Sequence, residues 1–431
     1  MVRKFLKFLI YMFSVFVILA VAFGVLVMQD SPLVEGAGAP TPDDVVEARE
    51  FVHGVRSALQ SEGSQPAAFA SNEGQLNSVM KLGARFIPGF RGQLQVTEAE
   101  INGFASIPIR YTQKWVNLRA TVPEYEGKLA LSGVRIGPIS VPAAVALSFV
   151  RNAANSVFGE NYGDRVIDAA TSMRTEEGQV IFNLAMDEMG SNGLMRGLFG
   201  TLRGSDMPRS QDIGRYYLDI RKAMDRGELP TEGNYLPYLI YTLQAALEGS
   251  KTEGIENAYT SAIFALTLIC GAKDFTLVMG GMVGSEFPEN RNWKTDCGDL
   301  TLNGRIDSRR HFTTAAALQA ASNRGFAVSV GEFKELYDTI KSGGFDFTDL
   351  AANNSGIRMT DTMMSTDRSD WPIRMARIRA ESDVIVPFDG IPQILSGEEF
   401  RQAYKDVESP EYYAILGKIE AKIDELALHR H

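Results

Sequence analysis

Residues 307–356 read DSRRHFTTAAALQAASNRGFAVSVGEFKELYDTIKSGGFDFTDLAANNSG. The apolar residues of this stretch recur at helical spacing and are broken by glycines. The pattern predicts helices over 308–323, 330–341 and 346–354. Gly343-Gly344 reads as a flexible turn, Ser342 or Asp346 as the cap of the last helix, and Gly356 as the residue just beyond its end. The same period extends in both directions, to 192–203, 209–226, 234–249 and 254–271 upstream and to 397–406 and 410–427 downstream. Ser261 to Cys270 is very apolar, but Lys273 and Asp274 end it. A run that short cannot cross a bilayer, so it reads as a buried helix. The second half of the chain is therefore expected to be mostly α.

Before Ser191 the period changes. Val116, Leu118, Ala120 and Val122 alternate with polar neighbours, as do residues 129–136 and Val180, Phe182, Leu184 and Met186. Such alternation marks half-buried strands. Helices are expected from Asp43 and Asp44, over 74–86, and from Pro142 to Phe158. Thr97-Glu98-Ala99-Glu100 has the form of a capping box and predicts a short helix through Phe104.

At the N-terminus, Arg3, Lys4 and Lys7 precede an uncharged run from Phe8 to Met28. At 1.5 Å per residue this is about 31 Å of helix, enough to span a bilayer. Positive charge before the run and Asp30 and Glu35 after it orient the N-terminus to the cytoplasm. A cleaved signal peptide is the competing reading. Residues 29–42 are rich in Pro, Gly and small residues and read as a linker. The expected fold class is α+β: a transmembrane helix over 1–28, a linker over 29–42, a small antiparallel α+β domain over 43–188, and a larger helical domain over 189–431. A bacterial inner-membrane protein with one span and its bulk outside the cytoplasm follows.

A net charge of −10 argues against nucleic acid, which needs a basic surface. The two cysteines, Cys270 and Cys297, fit one disulfide, with two buried thiols as the alternative. No Walker loop, dinucleotide fingerprint, G-x-S-x-G or H-E-x-x-H motif occurs.

The candidate chemistry lies in the opening block. Asp307 and His311 are four apart, so a carboxylate can orient the imidazole from one helix face. Glu332, Glu335 and Asp338 are three apart along one helix side, and crowded carboxylates raise one another's pKa. Asp346, Asp349 and Asn353 follow at helical spacing. The candidate catalytic residues are His311, Asp307, Glu335, Asp338, Asp349 and Asn353. Each also has a plainer reading: a solvated charged face for the glutamates, an N-cap for Asp307, and dipole-favoured first-turn carboxylates for Asp346 and Asp349. His311 with two or three carboxylates is also a conceivable metal set; the sequence leaves metal and cofactor unknown.

The order Asp307-x-x-x-His311-Phe312, Glu335-Leu336-x-Asp338, Phe345-Asp346-Phe347-x-Asp349-Leu350-x-Ala352-Asn353-x-x-Gly356 resembles that of VanZ-like proteins and of small periplasmic lipoproteins of unknown function. Thr97, Glu98, Glu100, Ile101 and Asn102 resemble a helix start in single-anchor bacterial envelope proteins. The first resemblance implies a polar site near the envelope; the second implies a curved sheet able to hold an acyl chain. The expected function is a membrane-anchored binding or assembly factor for a lipid or envelope component. The alternative is a hydrolase acting on an envelope polymer or lipid-linked intermediate through the His-carboxylate block, with Glu335 and Asp338 as its acid pair.

Overall fold

The computed structural model describes residues 24, 26–36, 38–60, 67–84, 89–109, 112–158, 162–185, 207–272, 297–322, 324–339 and 343–430. The chain divides into two compact units. The first comprises residues 1–38, 47–153 and 167–185, and the second residues 39–46, 154–166 and 186–431.

Through residue 185 the chain runs β1 (Met28–Gln29), α1 (Pro42–Gln60), β2 (Ala67–Asn72), α2 (Glu73–Ala84), β3 (Arg91–Val96), β4 (Glu100–Pro108), β5 (Trp115–Pro123), β6 (Tyr125–Glu126), β7 (Ser132–Ile136), β8 (Ile139–Ser140), α3 (Ala143–Phe158), α4 (Tyr162–Ala169), β9 (Ala170–Glu176) and β10 (Gln179–Leu184). One antiparallel sheet has the order β3-β4-β5-β7-β8, with β1 also paired to β5. A second has the order β2-β10-β9-β6. Phe69 and Phe182 sit opposite each other in its ladder and stack at 5.3 Å, and Phe51 meets Phe69 edge-on. Leu76, Ile101, Met173 and Val180 form a buried cluster. A buried Ser106–Asn117 pair accepts the backbone N–H of Leu33, and Ser106 also that of Val34, which ties residues 33–34 to the sheet.

Two expectations are corrected in this unit. Thr97–Glu100 is a hairpin turn, not a helix start. The Thr97 N–H and hydroxyl both donate to the Glu100 carbonyl, and residues 100–108 then form a strand flanked by β3 and β5. Ladder bonds on both edges outweigh the local helix preference of a four-residue motif. The transmembrane helix expected over Phe8–Met28 is the second. Residues 1–23 lie outside the described residues, and Met28 is in a strand paired with Val116. Among the described residues no helix is long and apolar enough to cross a membrane. The α+β class with a membrane anchor, and the single-pass inner-membrane placement drawn from it, therefore do not hold for the described chain. It is a mixed α and β protein whose two larger sheets are antiparallel.

The second unit continues with α5 (Ser210–Asp225), β11 (Glu232–Asn234), α6 (Leu236–Glu253), α7 (Ile255–Cys270), β12 (Asp299–Thr301), α8 (Ile306–Ala321), α9 (Arg324–Asp338), α10 (Phe347–Ser365), α11 (Trp371–Met375), α12 (Gly397–Tyr404) and α13 (Pro410–Asp424). The helix expected over 192–203 lies outside the described residues. From Ala258 to Cys270 every residue of α7 is buried, as its continuous apolar run requires. The core cluster it joins also holds Leu239, Leu300, Phe312, Ala316 and Ile357. The Cys270–Cys297 disulfide forms and joins the end of α7 to the residues before β12.

Gly356 is not the end of its helix. α10 runs on to Ser365, and a Cβ at Gly356 would lie 2.1 Å from the Phe312 carbonyl oxygen of α8. The glycine lets two helix backbones touch. Gly356→Ala is expected to destabilise by about 3 kcal/mol, at the upper end for overpacking because the obstacle is backbone. Equilibrium denaturant unfolding checks this; a change below about 0.5 kcal/mol contradicts it. Replacing Cys270 and Cys297 together by Ser removes a cross-link over a separation of 27 residues. Loop-closure entropy puts the loss at about 3 kcal/mol, readable as a lower thermal midpoint.

Candidate functional site

Three elements of the second unit meet at His311. α8 supplies Asp307, Arg310 and His311, α9 supplies Gly331, Lys334 and Glu335, and α10 supplies Asp349 and Asn353. α10 begins where it does because Asp346 caps it, accepting from the Thr348 N–H at 2.8 Å and from the Thr348 hydroxyl at 2.6 Å. Arg305, just before α8, donates to Asp346 Oδ2 at 3.1 Å and Asp349 Oδ1 at 3.3 Å, and bonds Thr348 Oγ1 as well. One guanidinium therefore ties the start of α8 to the first turn of α10.

His311 is only 5% exposed, and both its ring nitrogens are engaged. Nε2 lies 3.1 Å from Asp349 Oδ2 and Nδ1 lies 3.1 Å from Asn353 Oδ1. Asp307 Oδ2 is 3.9 Å from Nε2, an ionic neighbour beyond hydrogen-bond range. Burial pushes the imidazole pKa down, but the hydrogen bond and charge of Asp349 outweigh it, and the net direction is up. Burial likewise pushes Asp349 up, and His311, Lys334 and Arg305 pull it below the ordinary carboxylate value. Both shifts favour an imidazolium facing a carboxylate. An imidazolium has two N–H donors and needs an acceptor at each. In that state the Asn353 carbonyl oxygen accepts from Nδ1, as the 3.1 Å contact has it. That leaves Asn353 Nδ2, which is buried and has no hydrogen-bond partner.

Glu335 is 1% exposed and does not hydrogen bond to His311. Its Oε1 accepts from Lys334 Nζ at 3.1 Å, and its Oε2 accepts from the Asp346 N–H at 3.2 Å. Burial pushes its pKa up to about 7, against the pull of Lys334 and His311 and with the push of Asp349. Burial lowers the Lys334 pKa, but the charge of Glu335 and the hydrogen bond to Asp338 raise it further, to a net value above the ordinary one. Asp338 takes Lys334 Nζ at 2.7 Å on the half-exposed side of α9. The expected acid pair is thus two carboxylates on either side of one lysine.

A cavity of about 360 Å³ opens beside this network. Its polar wall carries Asp307, Arg310, His311, Lys334 and Asn353, and its apolar wall includes Ile269, Leu318, Ala327 and Val330. Of the six candidates read from sequence, His311, Asp349 and Asn353 are in direct contact, Asp307 adjoins them, Glu335 lies outside the cavity lining, and Asp338 stands off with Lys334. Four contributors were missed. Arg305 and Lys334 look like solvated charges in sequence, and Lys334 reads as an i,i+4 surface partner of Asp338. Arg310 looked like part of a basic cluster. Gly331 carries a signal only in hindsight: a Cβ there would sit 2.7 Å from Asn353 Nδ2.

Asp307, His311 and Asp349 each offer one donor atom within 4.8 Å of the others, so by donor type they could hold a divalent cation. A metal would take the Nε2 lone pair and so compete with the contact to Asp349. Arg305 and Lys334 add positive charge beside the same carboxylate. The trio fits an ion pair better than a metal centre. Comparison of the chain with protein-family models, curated proteins and solved structures finds no match.

The pKa directions set a pH dependence. Folded Glu335 holds a proton that the unfolded chain releases between the ordinary glutamate value and about 7, so stability falls as pH rises through that window. His311 acts in the same direction: its raised folded pKa stabilises fully below the ordinary histidine value, and that contribution is lost as pH rises through the folded pKa. Asp349 acts oppositely, stabilising above the ordinary aspartate value and losing this as pH falls through its depressed pKa. Glu335→Gln removes the first component. Between pH 5 and pH 8 the wild type should lose about 2–4 kcal/mol more stability than this variant. Parallel pH profiles for the two proteins, measured by denaturant unfolding, contradict the assignment.

Proposed function

We propose that the protein is a binding protein and that the cavity in its second unit takes a small ligand. The observation that carries this reading is the cavity itself, whose lining includes Asn353, a residue with a buried, unpartnered amide nitrogen. A buried donor left unmade costs about 1–3 kcal/mol, a cost that an acceptor on a ligand removes. The volume lies within the range of small-molecule sites, with mostly apolar walls and a few convergent polar groups.

The geometry disfavours the hydrolase alternative. A general base must present a ring nitrogen with a free lone pair to the substrate. Both nitrogens of His311 are committed to Asp349 and Asn353. Glu335 has a pKa suited to acid catalysis, but the cavity lining does not include it. The ligand proposed here therefore sits in the helical unit, where the cavity is.

Val330 lines the cavity and is only partly buried, so Val330→Phe fills the space without disturbing the His311 network. A panel of small alcohols, amides and acids, screened by thermal shift, should contain compounds that raise the midpoint of the wild type. A ligand at a hundred times its Kd stabilises by about 2.7 kcal/mol. The same compounds should leave Val330→Phe unmoved. No stabilising compound, or equal shifts in both proteins, contradicts the proposal.

A further inference from the structure

The cavity wall also specifies the ligand's charge. Arg310 lines the cavity, and among the described residues no carboxylate pairs with its guanidinium. Apart from Arg309, the other charged groups around the cavity have side-chain partners. His311 faces Asp349 and Asp307, and Lys334 faces Glu335 and Asp338. Arg305 faces Asp346 and Asp349. Arg309, on the next position of α8, is buried and donates only to backbone carbonyls of Cys297, Gly298 and Leu300. Arg309 also has the Asp299 carboxylate as a charged neighbour, so Arg310 is the cavity cation without a side-chain ion pair among the described residues. A guanidinium without an ion-pair partner at a cavity attracts an anion.

Two donor-bearing residues line the cavity: Arg310, and Asn353, which is 5% exposed and whose Nδ2 is buried and unpartnered. A guanidinium fork and an amide N–H suit a planar two-oxygen acceptor. A dianion such as a phosphate monoester is disfavoured, because the Asp307 carboxylate stands on the same wall with its side chain half exposed. Apart from the Thr314 hydroxyl, which accepts from the Ala272 N–H, the rest of the wall is largely apolar (Ile269, Leu318, Ala327 and Val330) and favours an aliphatic body.

We propose that the cavity binds a small amphipathic monocarboxylate, with its carboxylate on Arg310 and Asn353 and its aliphatic body against Ile269, Leu318, Ala327 and Val330. This rests on the binding reading above and adds the chemical class of the ligand. The binding step involves no covalent chemistry.

The test is calorimetric titration of the full chain with octanoate, octanamide, octanol and octylamine at matched salt. The expected result is that octanoate binds, the two neutral compounds bind at least ten-fold more weakly, and octylamine does not bind. Arg310→Gln should weaken octanoate at least ten-fold and leave octanol unchanged, which distinguishes loss of a charge contact from a damaged fold. Val330→Phe should abolish all binding. If octanol and octanoate bind equally, or Arg310→Gln leaves octanoate affinity unchanged, the monocarboxylate inference is wrong while the cavity remains a binding site. If none of the four binds wild type, or Val330→Phe binds them as wild type does, both the inference and the binding reading fall.

Discussion

Asp349 is buried between helices and charged, and a carboxylate in that position must face a cation or give up its charge. His311 and Arg305 are the cations that hold it, and the packing of the second unit is arranged around that requirement. On α10, Asp349, Asn353, Gly356 and Thr360 recur at spacings of four, three and four, so they share one face. All four meet α8 or the residue leading into it. Asp349 and Asn353 hold His311, Gly356 admits the Phe312 carbonyl, and the Thr360 hydroxyl donates to the Ala316 carbonyl at 3.1 Å. The polar end of this seam fixes rotation and register, and the glycine fixes separation. An apolar seam alone would tolerate sliding by a turn; a hydrogen-bonded ion pair would not.

The same arrangement limits the chemistry. Ordering an imidazole between two acceptors stabilises its charged form and removes the lone pair that a base or a metal ligand would use. What it leaves over is a donor, Asn353 Nδ2, on a residue that lines the same cavity as an arginine without an ion-pair partner among the described residues. Fixed charge and an unmet hydrogen bond are features of recognition, because they lower the free energy of a bound acceptor without asking any group to change protonation. Glu335, with its pKa near neutrality, then tunes the stability of the helix junction and takes no part in the cavity.

Much of this was legible in the chain. The helical period over 307–356 located α8, α9 and α10, and the Asp307–His311 spacing located the histidine worth watching. The disulfide followed from two cysteines and no metal spacing. What failed did so for identifiable reasons. Thr97–Glu100 carries the same side chains for a helix cap and for a hairpin turn, and only the strands on either side decide between them. Gly356 looked like a helix end because nothing local reveals that another helix backbone crosses there. Arg305 meets Asp346 and Asp349 across more than forty residues of sequence, and no short-range pattern encodes such a pairing. The uncharged run up to Met28 has the composition of a span, yet its last residue belongs to a sheet edge.

The central claim is that His311 is a locked imidazolium. Nitrogen-15 NMR of the histidine side chains, with His311 assigned by its loss in His311→Gln, reads the protonation of each ring nitrogen directly. The account predicts that at pH 7 both nitrogens of His311 carry protons, and that they keep them above the pH at which an ordinary histidine has become neutral. A neutral ring at pH 7, with one nitrogen unprotonated, would contradict it and would return His311 to the role of base or metal ligand.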